Sequence, residues 1–231
     1  MEVGMFQIRN KAVIALAAVG FLIFFGGHQA YAQQVRLGVK AALNLSWFGG
    51  SDWNDLVRDL DNLPGIDADN EVNVGFIGGV FAEFTVSPNL AVQTEILLGR
   101  VSGGVEFTDG VNTATITEKA TVLKLPFLLK PKFDVGTDGA LYLLVGPVPA
   151  FIIGDVELEV RETGFSTETI KDKPDNRFVF SATFGAGYER RFDTGALNAE
   201  IRYNRTFTDI YDDFETRINS VNFYVGYAFN L

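Results

Sequence analysis

The last eleven residues of the chain alternate between two kinds of side chain without a break. Apolar side chains occupy every second position from Val221 to Leu231, and asparagine, glycine, alanine and one tyrosine occupy the positions between them. Successive side chains of a β-strand point to opposite faces, so this period of two predicts a strand. The chain therefore ends in a strand with one apolar face and one face of small or polar residues.

The same alternation recurs upstream. It is found in the segments 35–46, 72–86, 90–98, 121–133, 177–192 and 197–204. A further segment, 140–153, is apolar on both faces, so the pattern leaves its orientation open. Together these segments predict eight strands in an all-β domain.

The connections between the predicted strands alternate in length. Short turns fall near 87–89, 134–139 and 193–196, and long loops near 47–71, 101–118, 154–176 and 205–220. Short turns at one end and long loops at the other are typical of outer-membrane barrels, where the turns are periplasmic and the loops extracellular. We therefore predict a single eight-stranded antiparallel up-and-down transmembrane β-barrel.

The size of the apolar side chains decides which face of the predicted barrel points outward. An eight-stranded barrel encloses modest side chains or one small ligand, and Phe178, Phe184 and Phe223 with their neighbours would crowd it. Glycine and alanine dominate the opposite face. We therefore predict that the bulky face meets lipid, unlike in a water-soluble barrel. Aromatic girdles at the two membrane interfaces are predicted from Trp47, Phe48, Phe207, Tyr211 and Phe214 at one end and Phe133, Phe192 and Phe229 at the other.

Charged side chains of both signs lie on the face that is predicted to point inward. The six basic and four acidic residues are Arg36, Lys40, Glu83, Glu95, Lys124, Lys130, Glu189, Arg191, Glu200 and Arg202. Buried charges are tolerated when they are paired and hydrogen-bonded. We predict an interior charge network of these ten residues; the alternative is that some of them face water near the rims.

Residues 1–32 have the organisation of an export signal. Arg9 and Lys11 precede an apolar run of 14 residues, 12–25, and Ala30 and Ala32 occupy the two positions that a signal peptidase reads. The run is shorter than the roughly 20 residues of a bilayer-spanning helix. We predict cleavage after Ala32 and a barrel domain of residues 33–231; an uncleaved N-terminal anchor is the alternative.

The predicted mature chain lacks the residues of most catalytic and metal-binding sites. It has no cysteine, and the single histidine of the sequence, His28, lies in the export signal. Ser-His-Asp triads and zinc sites in their usual form are thereby excluded. Loss of Glu2, Arg9 and Lys11 with the signal leaves 17 basic and 28 acidic side chains, a net charge of −11, which disfavours nucleic acid. We predict no enzymatic activity, no cofactor and no metal site.

The first long loop is acidic and contains apolar residues at helical spacing. Trp53, Leu56 and Leu60 predict a short amphipathic helix within 52–62. Its apolar side is expected to fold over the barrel mouth, with contact to the membrane interface or to a partner as the alternative. The carboxylates of this loop and of the last one are expected to be solvated, although oxygen-rich clusters also suit Ca²⁺ or Mg²⁺. Hairpins are predicted around 106–117 and 156–170.

Several segments carry a resemblance to a known family. They are 38–46 (GVKAALNLS), 93–98 (QTEILL), 125–130 (LPFLLK), 146–147 (GP), 200–203 (EIRY) and 225–229 (VGYAF). Through them, residues 34–231 resemble the porin-family outer-membrane β-barrel domain of Bacteroidetes-type bacteria, a group of small eight-stranded barrels. The resemblance implies contact with outer-membrane lipid and location in the bacterial outer membrane.

The C-terminal strand resembles the signal that the outer-membrane barrel assembly machinery reads. The residues concerned are Val225, Tyr227, Phe229 and Leu231. Leu231 stands where an aromatic residue is more usual, and because the alternation is intact we expect only a modest effect on assembly.

Two kinds of function are compatible with these patterns. The favoured one is a structural or surface-interaction role with acidic loops displayed outside the cell, towards a partner that the sequence does not identify. The alternative is a narrow pore or a carrier for a small or hydrophobic ligand. Ten charges inside an eight-stranded barrel favour a plugged lumen.

Overall fold

The computed structural model describes residues 34–164, 167–174, 176–209 and 215–231. The strands are β1 (Val35–Gly49), β2 (Asp67–Glu71), β3 (Asn73–Ser87), β4 (Leu90–Thr108), β5 (Thr113–Lys124), β6 (Phe127–Val135), β7 (Gly139–Glu162), β8 (Glu168–Asp172), β9 (Phe178–Phe192), β10 (Gly195–Thr206) and β11 (Arg217–Asn230). One helix, α1, spans Ser51–Asp61. The predicted cleavage site at Ala30 and Ala32 lies outside the described residues.

No helix within the described ranges has the length and apolar character needed to cross a membrane.

The strands form a sheet that closes on itself through antiparallel pairings. β1 pairs with β11 on one side and with β3 on the other, and β3 pairs with β4. From β11 the ring continues through β10 and β9 to β7. β5 and β6, which are consecutive in the chain, both lie between β4 and β7, and each pairs with both of these strands. The all-β, antiparallel fold is as the sequence predicts.

The number of strand segments differs from the eight that the sequence predicts, because the described residues form eleven. One cause is Pro126, which has no N–H to donate to a ladder and lies between β5 and β6 in the predicted strand 121–133. The other cause is that two predicted loops contain short strands. β2 pairs with the end of β4, and β8 pairs with the end of β7.

The predicted hairpins extend the sheet beyond the ring. β4 and β5 pair up to Thr108 and Thr113, and the carboxylate of Asp109 accepts hydrogen bonds from the backbone N–H of Asn112 at 2.7 Å and of Val111 at 2.9 Å. These two bonds hold the pKa of Asp109 below its usual value. The second hairpin pairs 156–160 with 168–172. Both predictions of extended strand pairs are therefore confirmed.

The apolar face of the strands points away from the interior of the ring. Phe223, Val225 and Phe229 of β11 are 47%, 59% and 48% exposed, whereas Tyr224 and Ala228 between them are buried. Residues 140–153 follow the same alternation, with Leu141 and Leu143 exposed and the residues between them buried. A closed sheet with an apolar outer surface of this kind is suited to lipid and not to water.

Helix α1 lies at the loop end of the ring, as one of the two interpretations of its sequence predicts. Trp53 of α1 packs on Phe48 with 4.7 Å between the ring centres. Its Nε1 donates a hydrogen bond at 3.3 Å to Asn70 of β2, whose amide donates to the carbonyl oxygen of Phe48 at 2.6 Å. Trp53 therefore attaches the helix to the inner side of β1 and to β2, while Leu56 of the same helix stays 40% exposed.

The aromatic girdle is predicted wrongly at one position. Phe48 is 2% exposed and points inward, where a Cβ on Gly103 would lie 2.6 Å from its ring. Trp47, the next residue along β1, stacks instead against Tyr203 of β10 at 6.3 Å. Tyr211 and Phe214 of the predicted girdle lie outside the described residues. The register of β1, which alternates to its end, explains why the two neighbours face opposite ways.

Replacement of Val225 by arginine tests the outward orientation. A basic residue near the middle of a lipid-facing strand costs about 2–4 kcal/mol, so the free energy of unfolding by urea in phospholipid vesicles should fall by that amount. The control is Val111→Arg at the 85% exposed tip of the β4–β5 hairpin, which should change it by less than about 0.5 kcal/mol. Equal effects of the two substitutions would contradict the orientation.

Candidate functional site

The lower layer of the lumen, towards the short turns, contains two carboxylates and three cations. We define it as Arg36, Glu83, Lys130, Lys132 and Glu189, all buried. Glu83 accepts hydrogen bonds from Lys130 Nζ at 2.7 Å and Lys132 Nζ at 2.5 Å, and also from Arg36. Arg36 donates to Glu189 from both of its terminal nitrogens, at 2.8 and 3.2 Å. These bonds connect β1, β3, β6 and β9 across the interior of the ring.

The middle layer contains two carboxylates and two cations. We define it as Lys40, Glu95, Glu200 and Arg202, again all buried. Arg202 donates two hydrogen bonds to Glu95, at 2.8 and 2.7 Å, and Lys40 donates a third at 2.8 Å. Glu200 accepts from Lys40 at 3.2 Å and is paired with Arg202. Two-point contacts between arginine and a carboxylate are among the strongest ion pairs in proteins.

Two neutral side chains connect the layers. Gln93 accepts a hydrogen bond from Lys130 at 3.2 Å and donates one to Glu95 at 2.5 Å. The hydroxyl of Tyr142 donates to Glu200 at 3.0 Å, and Lys130 Nζ lies 4.0 Å from the centre of the same ring. The two layers therefore form one continuous polar network.

The inward glycines provide the space that these long side chains need. A Cβ on Gly185 would lie 2.8 Å from Cγ of Arg202, and one on Gly226 would lie 2.9 Å from Cβ of Lys40. Such separations are too short for ordinary carbon contacts. Without a side chain at these positions, the arginine and the lysine can lie along the wall and reach carboxylates on other strands.

The structure places most of the predicted network residues in the two layers. Those eight are Arg36, Lys40, Glu83, Glu95, Lys130, Glu189, Glu200 and Arg202. Lys124 is also buried, yet no carboxylate of the described chain lies within ion-pair distance of it. Arg191 lies at the lower rim with its side chain 39% exposed, where it pairs with Asp134 and, at 3.3 Å, with Glu189. The rim alternative therefore applies to Arg191.

Three members of the network were not assigned to it from the sequence. Lys132 lies two residues after Lys130, so the alternation along this strand already indicated that its side chain points inward. Gln93 has the same inward parity as Glu95 but carries no charge, so it was not assigned to a charge network. Tyr142 gave no such signal, because it lies in the segment 140–153 whose orientation was open. A polar vestibule of about 350 Å³ opens below the lower layer, where Arg36 and Lys132 line it.

Above the middle layer the lumen becomes less charged. Amide and hydroxyl side chains come first: Asn44 donates to Asn222 at 2.5 Å, and Asn222 and Asn204 each donate to Ser220, at 3.2 and 3.3 Å. A cluster of buried apolar residues follows towards the loops, comprising Val101, Ala120, Val122, Ile152 and Val156.

Some loop carboxylates take part in contacts between loops. Asp52 of α1 accepts a hydrogen bond from the backbone N–H of Glu215 at 2.9 Å, and Ser51 donates to the carboxylate of Glu215 at 2.5 Å. Asp209 accepts from Arg217 at 2.9 Å. Among the described residues no group of three or more acidic or histidine side chains is arranged to hold a metal ion.

A family assignment follows from comparison with known proteins. Residues 31–212 match the model of the outer membrane protein beta-barrel domain. The chain belongs to this family. Its location is therefore the bacterial outer membrane, in agreement with the outward apolar face. None of the curated proteins matches the chain.

Solved structures similar to this outer-membrane barrel have low sequence identity to it. Ail, the attachment invasion locus protein of Yersinia pestis, solved with the heparin analogue sucrose octasulfate, is 14% identical over 85% of this chain and 99% of that chain, with a TM-score of 0.37. Neisserial surface protein A is 12% identical over 84% and 97%, with a TM-score of 0.44. OprG from Pseudomonas aeruginosa is 11% identical over 89% and 99%, also with a TM-score of 0.44.

Substitution of Glu95 by glutamine tests how strongly this barrel depends on the network. The change leaves Lys40 and Arg202 buried with one counter-charge fewer, and breaking a buried ion pair costs about 3–5 kcal/mol. Urea unfolding in vesicles should show a loss of that size. Glu157→Gln is the matched control, because Glu157 pairs with Arg100 and Lys171 on the outer sheet, where both basic side chains are more than half exposed; its effect should be much smaller than that of Glu95→Gln, because exposed ion pairs contribute little. A small effect of Glu95→Gln would contradict a structural role for the network.

Proposed function

We propose that the protein is a closed outer-membrane barrel with a structural or surface-interaction role and no enzymatic activity. In this proposal eight stretches of chain cross the membrane: β1, β3, β4, β5 with β6 as one stretch, β7, β9, β10 and β11. The short turns are periplasmic and the long loops are extracellular. Residues 1–32 are removed on export, and residues 33–231 form the barrel domain.

The observation that carries the proposal is the filling of the lumen by two layers of ion pairs. Side chains from opposite walls meet in its middle, and Glu83, Glu95 and Arg202 among them are at most 2% exposed. A hydrated ion would have to displace these bonds in order to pass. With the lumen closed, interactions with other molecules fall to the loops, which a rigid barrel holds in place.

The loop end offers two different surfaces for such interactions. Helix α1 and β2 contain several acidic residues, among them Asp55, Asp59 and Asp67, and their side chains are largely exposed. The outer sheet has several of its charges paired, among them Lys119 with Glu159 at 2.7 Å and Arg100 with Glu157 at 2.8 Å. Lys171 and then Arg100 hold the pKa of Glu157 below its usual value. The acidic surface favours a basic partner outside the cell.

Two further partners belong to the proposal. Outer-membrane lipid covers the apolar face of the barrel. The barrel assembly machinery reads the C-terminal strand, where Val225 and Phe229 are on the exposed face and Leu231 is 77% exposed. An accessible apolar face of this kind is what a receptor for this strand requires.

Conductance in planar lipid bilayers separates the closed barrel from a pore. Incorporated wild-type protein, shown to be folded by its heat-dependent shift on gels, should give no stable conductance steps, since the ion pairs block the lumen. Reproducible open levels with a defined unit size would refute the closed barrel.

Single cysteines test the proposed orientation in the membrane, because the natural chain contains none. Val111→Cys at the tip of the β4–β5 hairpin should react with a membrane-impermeant maleimide on intact cells. Thr137→Cys, in the exposed short turn between β6 and β7, is the matched control and should react after the outer membrane is permeabilised. The opposite order of labelling would invert the topology.

A carrier for a small or hydrophobic ligand is the second candidate. It is favoured by one observation, the apolar cluster of Val101, Val122 and Ile152 in the upper lumen. Such a carrier would need a path around the ion pairs, and the same bilayer measurements extended to uptake of apolar solutes by vesicles would detect it.

A further inference from the structure

The buried charges of the lumen do not balance. Among the described residues six cations and four carboxylates are buried. Five of the cations lie in the two layers, within 4 Å of a carboxylate. The sixth is Lys124, the last residue of β5. It is only 9% exposed, yet it has no ion pair or hydrogen bond with any described residue.

Lys124 lines a small cavity on the loop side of the middle layer. The cavity has a volume of about 40 Å³. Apolar side chains, including Val122, Ala150 and Ile152, form much of its wall, and polar side chains of β9, β10 and β11 form the other side. A cation without a partner among the described residues therefore lines a mostly apolar cavity.

The polar wall of this cavity offers hydrogen-bond donors to an anion. Ser220 Oγ accepts hydrogen bonds from Asn204 and Asn222, so its own hydroxyl hydrogen is directed elsewhere. Asn204 uses one amide hydrogen for Ser220 and has a second. Ser181 and Thr206 are engaged, since they donate to the carbonyl oxygens of Val148 and Ile218. The ammonium, one hydroxyl and one amide thus form a set of donors on two walls.

The size and polarity of the cavity restrict the ligand. A single water needs roughly 10–15 Å³, so a cavity of about 40 Å³ holds a halide or an ion of the size of nitrate or formate, and no alkyl chain. A divalent anion would leave one negative charge uncompensated in an apolar surrounding, which is strongly unfavourable. We propose that the upper lumen binds a small monovalent anion, with Lys124 as its counter-charge and Ser220 and Asn204 as hydrogen-bond donors.

Bromide is a suitable probe for this site. The full barrel in detergent is unfolded by heat at constant ionic strength, with gluconate, a monovalent anion too large for the cavity, replaced stepwise by bromide. The unfolding midpoint of the wild type should rise and saturate, and crystals grown in bromide should show an anomalous peak within about 4 Å of Lys124 Nζ.

Two substitutions distinguish the site from general salt effects. Lys124→Met removes the charge while keeping the length of the side chain, and should weaken bromide binding at least about tenfold. Lys119→Met, on the same strand but paired with Glu159 outside the lumen, should respond to bromide like the wild type. If Lys124→Met does not fold, Ser220→Ala keeps the charge and should weaken binding several-fold. Equal responses of wild type and Lys124→Met, no response of the wild type, or bromide located elsewhere would overturn the proposal.

Discussion

A chain that crosses lipid must satisfy its backbone hydrogen bonds internally, because acyl chains offer neither donors nor acceptors. Here the pairing of the first ring strand with the last, from Arg36 opposite Asn230 to Gly49 opposite Arg217, closes the sheet. Closure then determines whether each side chain meets lipid or the lumen, because successive side chains of a strand point alternately to the lipid side and into the narrow lumen. Most inward charges have no bulk water beside them, and in the two layers they pair with side chains of other strands. The ion-pair layers are in this sense a consequence of the closed ring.

The lumen meets this demand by combining very small and very long side chains. Arg202 and Lys40 reach across the interior because Gly185 and Gly226 leave the adjacent wall free. Burying such ions costs several kcal/mol each unless attraction and hydrogen bonds offset it, and Glu95 offsets it with bonds from three side chains. The balance is local: two cations and two carboxylates compensate one another in the middle layer, while the lower layer has three cations and two carboxylates and hence one cation in excess, at its open vestibule. Lys124 is the remaining excess charge, and it lies where the wall turns apolar.

The sequence predicts the fold and the polarity of the two sheet faces well, because both follow from an alternation with a period of two that is present in each strand separately. It also predicts that the inward charges must pair, but it does not say which carboxylate meets which cation. That depends on register and on the tilt of the strands, which bring Arg36 of β1 beside Glu189 of β9. Arg191 was assigned wrongly because it lies near a strand end, where an inward residue and a rim residue have the same parity. Phe48 was assigned wrongly because the predicted strand ended at residue 46, whereas β1 continues to Gly49 and its alternation turns Phe48 inward. β2 was missed because this loop strand pairs with the extension of β4 and has little apolar alternation of its own, whereas β8 is the second arm of the predicted hairpin at 156–170.

The outer sheet, formed by the ends of β4, β5 and β7 together with β2 and β8, pairs charged side chains along its own strands. β4, β5 and β7 run on beyond the ring, where they pair with one another and with β2 and β8. Lys119, Glu157 and Glu159 therefore find partners on neighbouring strands of the same sheet, and β2 and β8 supply short edge strands. Short, charged edges discourage unwanted pairing with other chains. These charges of the outer sheet are thus paired within it, whereas Asp59 of α1 is exposed and forms no ion pair with another described residue. The part of the molecule with charge to spare for a partner is accordingly the helix and the strand that follows it, at the mouth of the barrel.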